Sequence, residues 1–348
     1  MIFIRADGNP EIGSGHIMRC LAVARTLRGM GQNCLFIVAD QTAVPMLEEA
    51  GMQSVCLNSV WNDLDQETDR METLISQRKI QLLLIDSYFV TSDYLHRLHR
   101  RTHVLYIDDL GQHIYPCSTL VNYALYAGDW NYQARYAGVK LLLGPKYAPL
   151  RREFENLPPR TTHRHVRNIL VTTGGGDPLN IAGQFVEKAK QTPATAGFHY
   201  HIAAGRFNEH LGELDMLAGR YPGVSVHRNV TYMSELMNAC DIAVSAAGTT
   251  LYELCACGTP TIAYMLADNQ APNGEAFQRY GLALWAGDAR TKPAFVQKLL
   301  VILADLAENR EQREHMSQAM RKTVDGNGTR RLARHIMQIA EERRENVP

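Results

Sequence analysis

Short, continuous apolar runs alternate with segments of helical periodicity along most of the chain. In the first half, these runs predict strands at residues 1–6, 34–39, 81–86, 104–109 and 141–143. Apolar residues recur every three or four positions from Ile17 to Met30, which predicts an amphipathic helix that stops at Gly31. Continuous apolar strands with helices between them are typical of a parallel sheet that is covered on both faces.

The alternation is interrupted once. Residues 151–167 are polar and contain two consecutive prolines, a composition typical of an interdomain linker. Strands are then predicted at residues 168–173, 199–204, 224–228, 242–246 and 260–265, and the chain after residue 292 is helical apart from an interruption at 326–328. We therefore predict an α/β protein of two Rossmann-like domains, residues 1–155 and 156–348, which face each other across a cleft.

The composition of the chain limits the binding partners and the cellular compartment that we expect for the protein. Lys plus Arg and Asp plus Glu both number 36, so the chain lacks the basic surplus of a nucleic-acid-binding protein. The seven cysteines form no CxxC pair, which argues against a zinc site or a disulfide framework and favours free thiols. The first residues do not read as a signal peptide, and no apolar run has membrane-spanning length. We expect a cytoplasmic protein without a membrane partner, either a monomer or a weak dimer.

The most specific motif, RxDxxxxIGSGHxxR, joins the first predicted strand to the first helix and runs from Arg5 to Arg19. Gly13 and Gly15 allow a tight turn and a close approach of backbone to a ligand. His16 then stands at a helix N-terminus, where the helix dipole favours the neutral imidazole that a general base needs. The alternative is that His16 only caps the helix. The motif is not the dinucleotide fingerprint GxGxxG, so no nicotinamide or flavin cofactor is expected.

A second motif, SAAGTTLYE, follows the strand predicted at residues 242–246. Gly248 permits close approach, and Thr249 and Thr250 open a helix whose free amides suit a diphosphate. Glu253 lies one turn further on, where its carboxylate is placed to accept hydrogen bonds from ribose hydroxyls. The alternative for Glu253 is an exposed helix residue without a ligand.

Two further loops follow predicted strands in the second half. The glycines of TTGGGD, Gly174 and Gly175 among them, offer backbone amides to a phosphate. Asn269 and Gln270 offer amide donors and acceptors to a sugar or phosphate, although the DNQ segment also fits a polar turn.

In the first half, Tyr88 and the Asp108-Asp109 pair follow strands and are candidates for the same cleft. The Asp pair is the weaker candidate, because carboxylates at strand ends also cap helices. The pairs His96-x-x-His99 and His199-x-His201 have spacings seen in metal sites, but acidic or cysteine partners do not accompany them. We therefore expect no metal site.

Taken together, the GxGH loop, IDSY at residues 85–88, GGGD at 174–177, SAAGTTLYE and DNQ at 268–270 resemble the UDP-sugar hydrolases of pseudaminic acid biosynthesis. Those enzymes act on UDP-2,4-diacetamido-2,4,6-trideoxy-β-L-altropyranose. The second half also resembles the peptidoglycan UDP-N-acetylglucosamine transferases, through the stretch from Gly248 to Pro260. The resemblance implies a GT-B fold, His16 as the base, ligand contacts from Tyr88 and Asn269, a ribose contact from Glu253, and no metal requirement.

The resulting prediction is hydrolysis of a UDP-sugar by water attack at the anomeric carbon with inversion, releasing UDP and a 2,4-diacetamido-2,4,6-trideoxyhexose. A GT-B glycosyltransferase with a UDP-sugar donor and a non-catalytic UDP-sugar sensor are the alternatives. His16 is the predicted catalytic residue. The predicted substrate-binding residues are Asp7, Gly13, Gly15, Arg19, Tyr88, Gly174, Gly175, Gly248, Thr249, Thr250, Glu253, Asn269 and Gln270.

Overall fold

The computed structural model of the protein describes residues 1–108, 110–111, 113–291 and 294–345. The chain divides into two compact units. The N-terminal unit contains residues 1–152 together with the described residues from 327 onward, and the C-terminal unit contains residues 153–326. No helix within the described ranges is both long enough and apolar enough to cross a membrane.

The described residues of the N-terminal unit build one parallel sheet. Its strands are β1 (Ile2–Ala6), β2 (Cys34–Val38), β3 (Gln53–Cys56), β4 (Leu82–Asp86), β5 (His103–Ile107), β6 (Thr119–Asn122) and β7 (Lys140–Leu143). The order across the sheet is β3-β2-β1-β4-β5-β6-β7. Every residue of β1, β2 and β4 is buried, as expected for strands with helices on both faces. The helices that follow are α1 (Gly15–Gly29), α2 (Val44–Glu49), α3 (Thr68–Arg78), α4 (Ser92–His99) and α5 (Tyr132–Arg135).

The C-terminal unit repeats this plan with a second parallel sheet. Its described strands are β8 (Asn168–Thr172), β9 (His199–Ala204), β10 (Val224–Arg228), β11 (Ile242–Ala246), β12 (Thr261–Met265) and β13 (Leu284–Asp288), in the order β10-β9-β8-β11-β12-β13. The helices are α6 (Ile181–Gln191), α7 (Leu211–Arg220), α8 (Met233–Ala239), α9 (Thr250–Cys257), α10 (Ala271–Arg279), α11 (Ala294–Glu308) and α12 (Arg310–Thr323). Two Rossmann-like units are therefore confirmed. The seven cysteines, all described, are unpaired as expected.

Three strands, β3, β6 and β13, were not predicted from the sequence. β3 is an edge strand whose first residue is exposed, so its apolar signal is weak. In β6 both end residues are polar yet fully buried: His103 contacts Thr119, and Asn122 donates to the hydroxyl of Tyr132 at 2.8 Å. In β13 the chain contains Gly287 at φ +93°, and its pairing with β12 shifts register.

The segment predicted as a linker packs onto the C-terminal unit instead. Arg160 donates to the carbonyl oxygens of Met237, Asn238 and Cys240 and, at 3.1 Å, to the hydroxyl of Thr259. A guanidinium with this many carbonyl partners fastens the segment to the C-terminal unit at Arg160. The boundary between units falls at the beginning of this segment, after residue 152.

The last helix, α13 (Gly328–Glu345), belongs to the N-terminal unit, whereas the sequence division placed it with the second domain. It packs against α1. Arg331 donates to the carbonyl of Lys146 at 2.9 Å, and a Cβ at Gly328 would lie 2.2 Å from the carbonyl oxygen of Ala148. The glycine that interrupts the helical pattern therefore allows the chain to return closely against the first unit.

Candidate functional site

The predicted residues of the N-terminal unit gather at the carboxyl edge of its sheet. β1 and β4 are neighbours with Ala6 opposite Asp86, so the loop after β1 and the turn after β4 leave the sheet side by side. This is the edge at which parallel α/β sheets bind ligands.

The glycine loop after β1 is a closed turn. The amide of Asn9 donates to the carbonyl of Gly13 at 3.2 Å, and the side-chain oxygen of Asn9 accepts from the amides of Glu11 and Ile12, each at 2.9 Å. Gly13 has φ +73°, a conformation that favours glycine. The loop then enters α1 at Gly15. The glycine loop is thus a tight turn that places His16 at the edge of the sheet.

His16 is the second residue of α1, at the helix start where the sequence placed it, and is 5% exposed. The ring of Tyr88, from the turn after β4, stands edge-on to the imidazole with centroids 4.3 Å apart and planes at 75°. The structure thus brings together one residue from each of two sequence motifs.

A buried ion pair accompanies His16. Arg19, one turn along α1, donates to both carboxylate oxygens of Asp86 at 2.5 and 2.6 Å and also to the hydroxyl of Tyr123. Burial alone would raise the pKa of Asp86, but the charges of Arg19 and His16 hold it below its usual value. The carboxylate therefore stays ionised, with its charge close enough to His16 to interact with the imidazole.

Arg19 and Asp7, both predicted as ligand contacts, bind partners inside the unit. Asp7 accepts from Arg5 at 2.5 Å and from the amide of Ala39 at 2.8 Å. Arg5 in turn donates to Glu67 at 2.7 and 2.9 Å. Although burial lowers the pKa of Arg5, the two carboxylates raise it above its ordinary value. These bonds hold the side chains of Arg19 and Asp7 in place, and their ligand contacts stay predictions.

Asp108 also has an internal role. Its carboxylate accepts from the amide of Gly111 at 2.8 Å and from the hydroxyl of Tyr132 at 2.9 Å. These bonds order the turn after β5. Asp109, the other member of that pair, lies outside the described residues.

In the C-terminal unit the predicted residues also converge on one edge. β8, β11 and β12 are adjacent and parallel, so the three loops that follow them emerge together. The loops carry Gly174 and Gly175 after β8, Gly248 to Glu253 after β11, and Asn269 and Gln270 after β12. The sequence predicted this grouping from the position of each motif at a strand end.

The segment after β11 leaves its backbone accessible. A Cβ at Gly248 would meet no atom of the described residues within 4 Å. Thr249 is the N-cap residue of α9, and in the described part of the chain its hydroxyl caps none of the helix amides. Thr250 is the first residue of α9, and Glu253 is half-buried one turn along. The amides of Leu251 and Tyr252 donate to the carbonyls of Gly248 and Thr249 at 3.2 and 3.0 Å, so an anionic group at this helix start would meet the amides that precede them.

Asn273 is a site residue that sequence reasoning missed. Its amide nitrogen donates to the carbonyls of Ala247 and Gly248 at 3.0 and 3.3 Å, and its oxygen accepts from the hydroxyl of Tyr252 at 2.9 Å. These bonds connect α10 and α9 through the glycine segment. The only available signal was an asparagine just after a helix-starting proline, which is common elsewhere.

Close packing of two backbone segments explains part of the glycine content of the loop after β8. A Cβ on Gly205 would lie 2.0 and 2.5 Å from the carbonyl oxygens of Gly174 and Gly175, so two backbones meet there closely. Phe207 donates its amide to the carbonyl of Gly175 at 2.9 Å. Asp177 accepts from the amides that begin α6, both at 2.9 Å. The loop is thereby fixed against residues 205–207.

The DNQ segment forms a single 3-10 turn after β12. Asn269 is exposed, and the side-chain oxygen of Gln270 accepts from the amide of Leu266 at 2.9 Å. Gln270 thus shapes the turn, while Asn269 is the member open to a ligand.

Of the two histidine pairs with metal-like spacing, His96 and His99 lie on α4, whereas His199 and His201 on β9 form a group with His227 of β10. The rings of His199 and His201 stack with centroids 4.4 Å apart, and Nδ1 of His201 lies 3.0 Å from Nε2 of His227. Among the described residues, groups of three or more histidine, cysteine or acidic side chains able to hold a metal ion are absent. Burial, followed by the neighbouring His199 and His227, lowers the pKa of His201 to about 4.

We predict that this group makes the protein less stable in acid. Because the folded pKa of His201 lies below its ordinary value of 6.5, its contribution to stability is complete above that pH and decreases as pH falls toward 4. Allowing for solvent screening, about 1–2 kcal/mol of unfolding free energy should be lost between those limits. Urea unfolding of wild type and His201→Asn from pH 7.5 to 4.5 measures this. Equal pH slopes in the two proteins would contradict it.

Known proteins resemble the chain over nearly its whole length. The spore coat polysaccharide biosynthesis protein SpsG of Bacillus subtilis is 25% identical over 97% of this chain and 98% of its own. The UDP-2,4-diacetamido-2,4,6-trideoxy-β-L-altropyranose hydrolase of Campylobacter jejuni is 24% identical over 72% of this chain and 86% of its own. The crystal structure of Acinetobacter baumannii MurG superposes with a TM-score of 0.67 at 14% identity, covering 97% of this chain and 99% of that one.

These likenesses confirm the fold class, since the two Rossmann-like units are those of GT-B glycosyltransferases. Residues 168–332, which include the candidate nucleotide loops of the C-terminal unit, match the family model of the glycosyltransferase family 28 C-terminal domain.

Proposed function

We propose that the protein hydrolyses a UDP-sugar, releasing UDP and a 2,4-diacetamido-2,4,6-trideoxyhexose. The observation that carries the proposal is the buried contact of His16 with Tyr88, beside the Asp86–Arg19 ion pair at the carboxyl edge of β1 and β4. The whole-length likeness to SpsG and the likeness to the Campylobacter jejuni hydrolase support it.

In the proposed reaction, His16 accepts a proton from a water molecule as the water oxygen attacks C1 of the sugar. A new C1–O bond forms, the bond from C1 to the diphosphate oxygen breaks, and UDP leaves with that electron pair. The charge of Asp86 favours the imidazolium that forms on His16, while Arg19 keeps the carboxylate in place. Attack from the face opposite the leaving group inverts the configuration at C1.

The nucleotide is held by the C-terminal unit in this proposal. The amides of residues 248–250, which precede those engaged inside α9, bind the diphosphate, and the accessible backbone at Gly248 lets it approach closely. The carboxylate of Glu253 accepts hydrogen bonds from the ribose. Asn273 has no ligand contact here and keeps the glycine segment in its conformation.

Glu253→Ala should weaken UDP binding by about 1.5–3 kcal/mol, the usual contribution of hydrogen bonds to a charged group. Isothermal calorimetry with UDP measures the change. Glu187→Ala, which removes an exposed carboxylate from the second half of α6, is the matched control and should leave affinity unaltered. Unchanged affinity in Glu253→Ala would remove this residue from the site.

A glycosyltransferase with the same donor site is the second candidate, favoured by the family 28 match at residues 168–332. In that case His16 activates an acceptor hydroxyl instead of water. A panel of UDP-sugars, incubated with and without candidate acceptors, separates the possibilities. UDP release in water alone supports hydrolysis, release only with an acceptor supports transfer, and binding without release indicates a sensor.

A further inference from the structure

Two adjacent apolar side chains, at positions 60 and 61, stand on the loop that follows β3, residues 57–63. Val60 is 44% exposed and Trp61 is half-buried. The indole of Trp61 lies edge-on to the ring of Phe89, with centroids 5.2 Å apart and planes at 81°. Phe89 directly follows Tyr88, the residue that contacts His16. Because β3, β2, β1 and β4 are parallel neighbours, the loop after β3 leaves the same sheet edge as the loops that carry His16 and Tyr88, and the Trp61–Phe89 contact brings its apolar surface to the turn after β4.

The loop is held rigidly. The amide of Ser59 donates to the carbonyl of Ala39 at 2.9 Å, and its hydroxyl donates to Glu67 at 2.6 Å. Arg70 donates to the carbonyls of Leu57 and Asn58, both at 2.7 Å.

Glu67 connects this loop to the N-terminal motif. Its carboxylate is fully buried and paired with Arg5, the first residue of RxDxxxxIGSGHxxR. The motif thus positions both His16 and the loop that carries Trp61, and the loop needs little ordering when a ligand binds.

The surface formed by Val60 and Trp61 is apolar and lies outside the core of the unit. Phe89 packs on the core of the unit, whereas Trp61 and Val60 lie outside it and expose apolar area. Apolar groups grouped beside convergent polar groups are typical of ligand sites, where they contact the apolar parts of the ligand. A phosphate or a ribose offers no such part, but the methyl groups of an N-acylated, 6-deoxygenated sugar do.

We propose that Val60, Trp61 and Phe89 form an apolar wall that receives the methyl groups of the sugar and so selects N-acylated deoxy sugars. The inference rests on the proposed UDP-sugar function and adds the feature of the sugar that the N-terminal unit recognises. Trp61 is the specificity-determining residue of the wall, since Phe89 is largely committed to the core.

Binding measurements in a His16→Asn background test the wall. The ligands are UDP, UDP-glucose and UDP-2,4-diacetamido-2,4,6-trideoxy-β-L-altropyranose. Trp61→Ala should weaken binding of the diacetamido sugar nucleotide by about tenfold or more, the effect of lost methyl contacts in an apolar site, and change UDP and UDP-glucose less than about twofold. Trp61→Phe should retain part of the discrimination and guards against misfolding of the alanine variant. Met30→Ala, at the far end of α1, is the matched control.

The outcomes separate the wall from the function on which it rests. Equal weakening of all three ligands would place the nucleotide, not the sugar, against Trp61 and overturn the wall. Unchanged binding of the diacetamido sugar nucleotide in Trp61→Ala would overturn it as well. If the His16→Asn parent binds none of the three ligands, the proposed UDP-sugar function fails and the wall fails with it.

Discussion

Replacing His16 with asparagine is expected to reduce turnover of the UDP-sugar by roughly 10²–10⁴-fold, the usual contribution of a general base. Asparagine is polar and close in size, so it can occupy the first turn of α1 but cannot take a proton from water. His16 is buried against Tyr88 and interacts with the ionised Asp86, and both contacts restrict the imidazole to one position. Steady-state kinetics and calorimetry with UDP measure turnover and nucleotide binding separately.

The matched control is His210→Asn, which replaces a histidine paired with Glu213 at the start of α7 and should keep full activity. UDP affinity should be the same in His16→Asn as in wild type, because the proposed nucleotide site lies on the C-terminal unit. Near-full turnover in His16→Asn would show that another group activates the water.

The second large effect is on stability. Glu67→Ala should lower the free energy of unfolding by about 3–5 kcal/mol, since it leaves a buried charge without its partner. The guanidinium of Arg5 is fully buried and donates twice to Glu67, whose oxygens also accept from Ser59 and from Tyr94 at 2.9 Å. Asp7 would remain as a second counter-ion of Arg5. Urea denaturation at neutral pH measures the loss.

Two variants provide reference values for the loss of unfolding free energy in Glu67→Ala. Asp69→Ala removes the ion pair with Arg97 at a position where the carboxylate is 86% exposed, and it should have little effect. Tyr94→Phe removes a single hydrogen bond to Glu67 and should cost about 1 kcal/mol. A loss in Glu67→Ala no larger than that in Asp69→Ala would contradict the structural role of the network.

Local signals in the sequence were sufficient to predict that the candidate site lies at the carboxyl edge of a sheet. They were not sufficient to predict which residues pair with one another there. The apolar runs that became β1, β4, β8 and β11 are buried throughout or nearly so, and the motifs at their ends lie where parallel sheets place ligands. The ion pair of Arg19 joins positions 67 residues apart, and that of Arg5 joins positions 62 residues apart. No local spacing indicates partners so far apart in the sequence, so neither of these two ion pairs was predicted.

The domain boundary shows a second limit of prediction from the sequence. α13 carries a regular apolar stripe that includes the buried Leu332, Ile336 and Ile339. A stripe predicts that a helix is buried on one face, but it does not specify which unit supplies the partner surface. In the structure that surface is α1, far away in the sequence. Similarly, residues 151–167 were predicted as a linker because they are polar, and the sequence does not show that Arg160 binds backbone carbonyls of the C-terminal unit.

Hydrolysis in water enriched with oxygen-18 tests the central claim most directly. The products of one UDP-sugar incubation are separated, and the label in each is measured by mass spectrometry. Attack of a His16-activated water at C1 predicts one labelled oxygen in the released sugar and none in UDP. Label in the phosphate of UDP would contradict the account, because it would mean that water attacks phosphorus and that the C1–O bond remains intact.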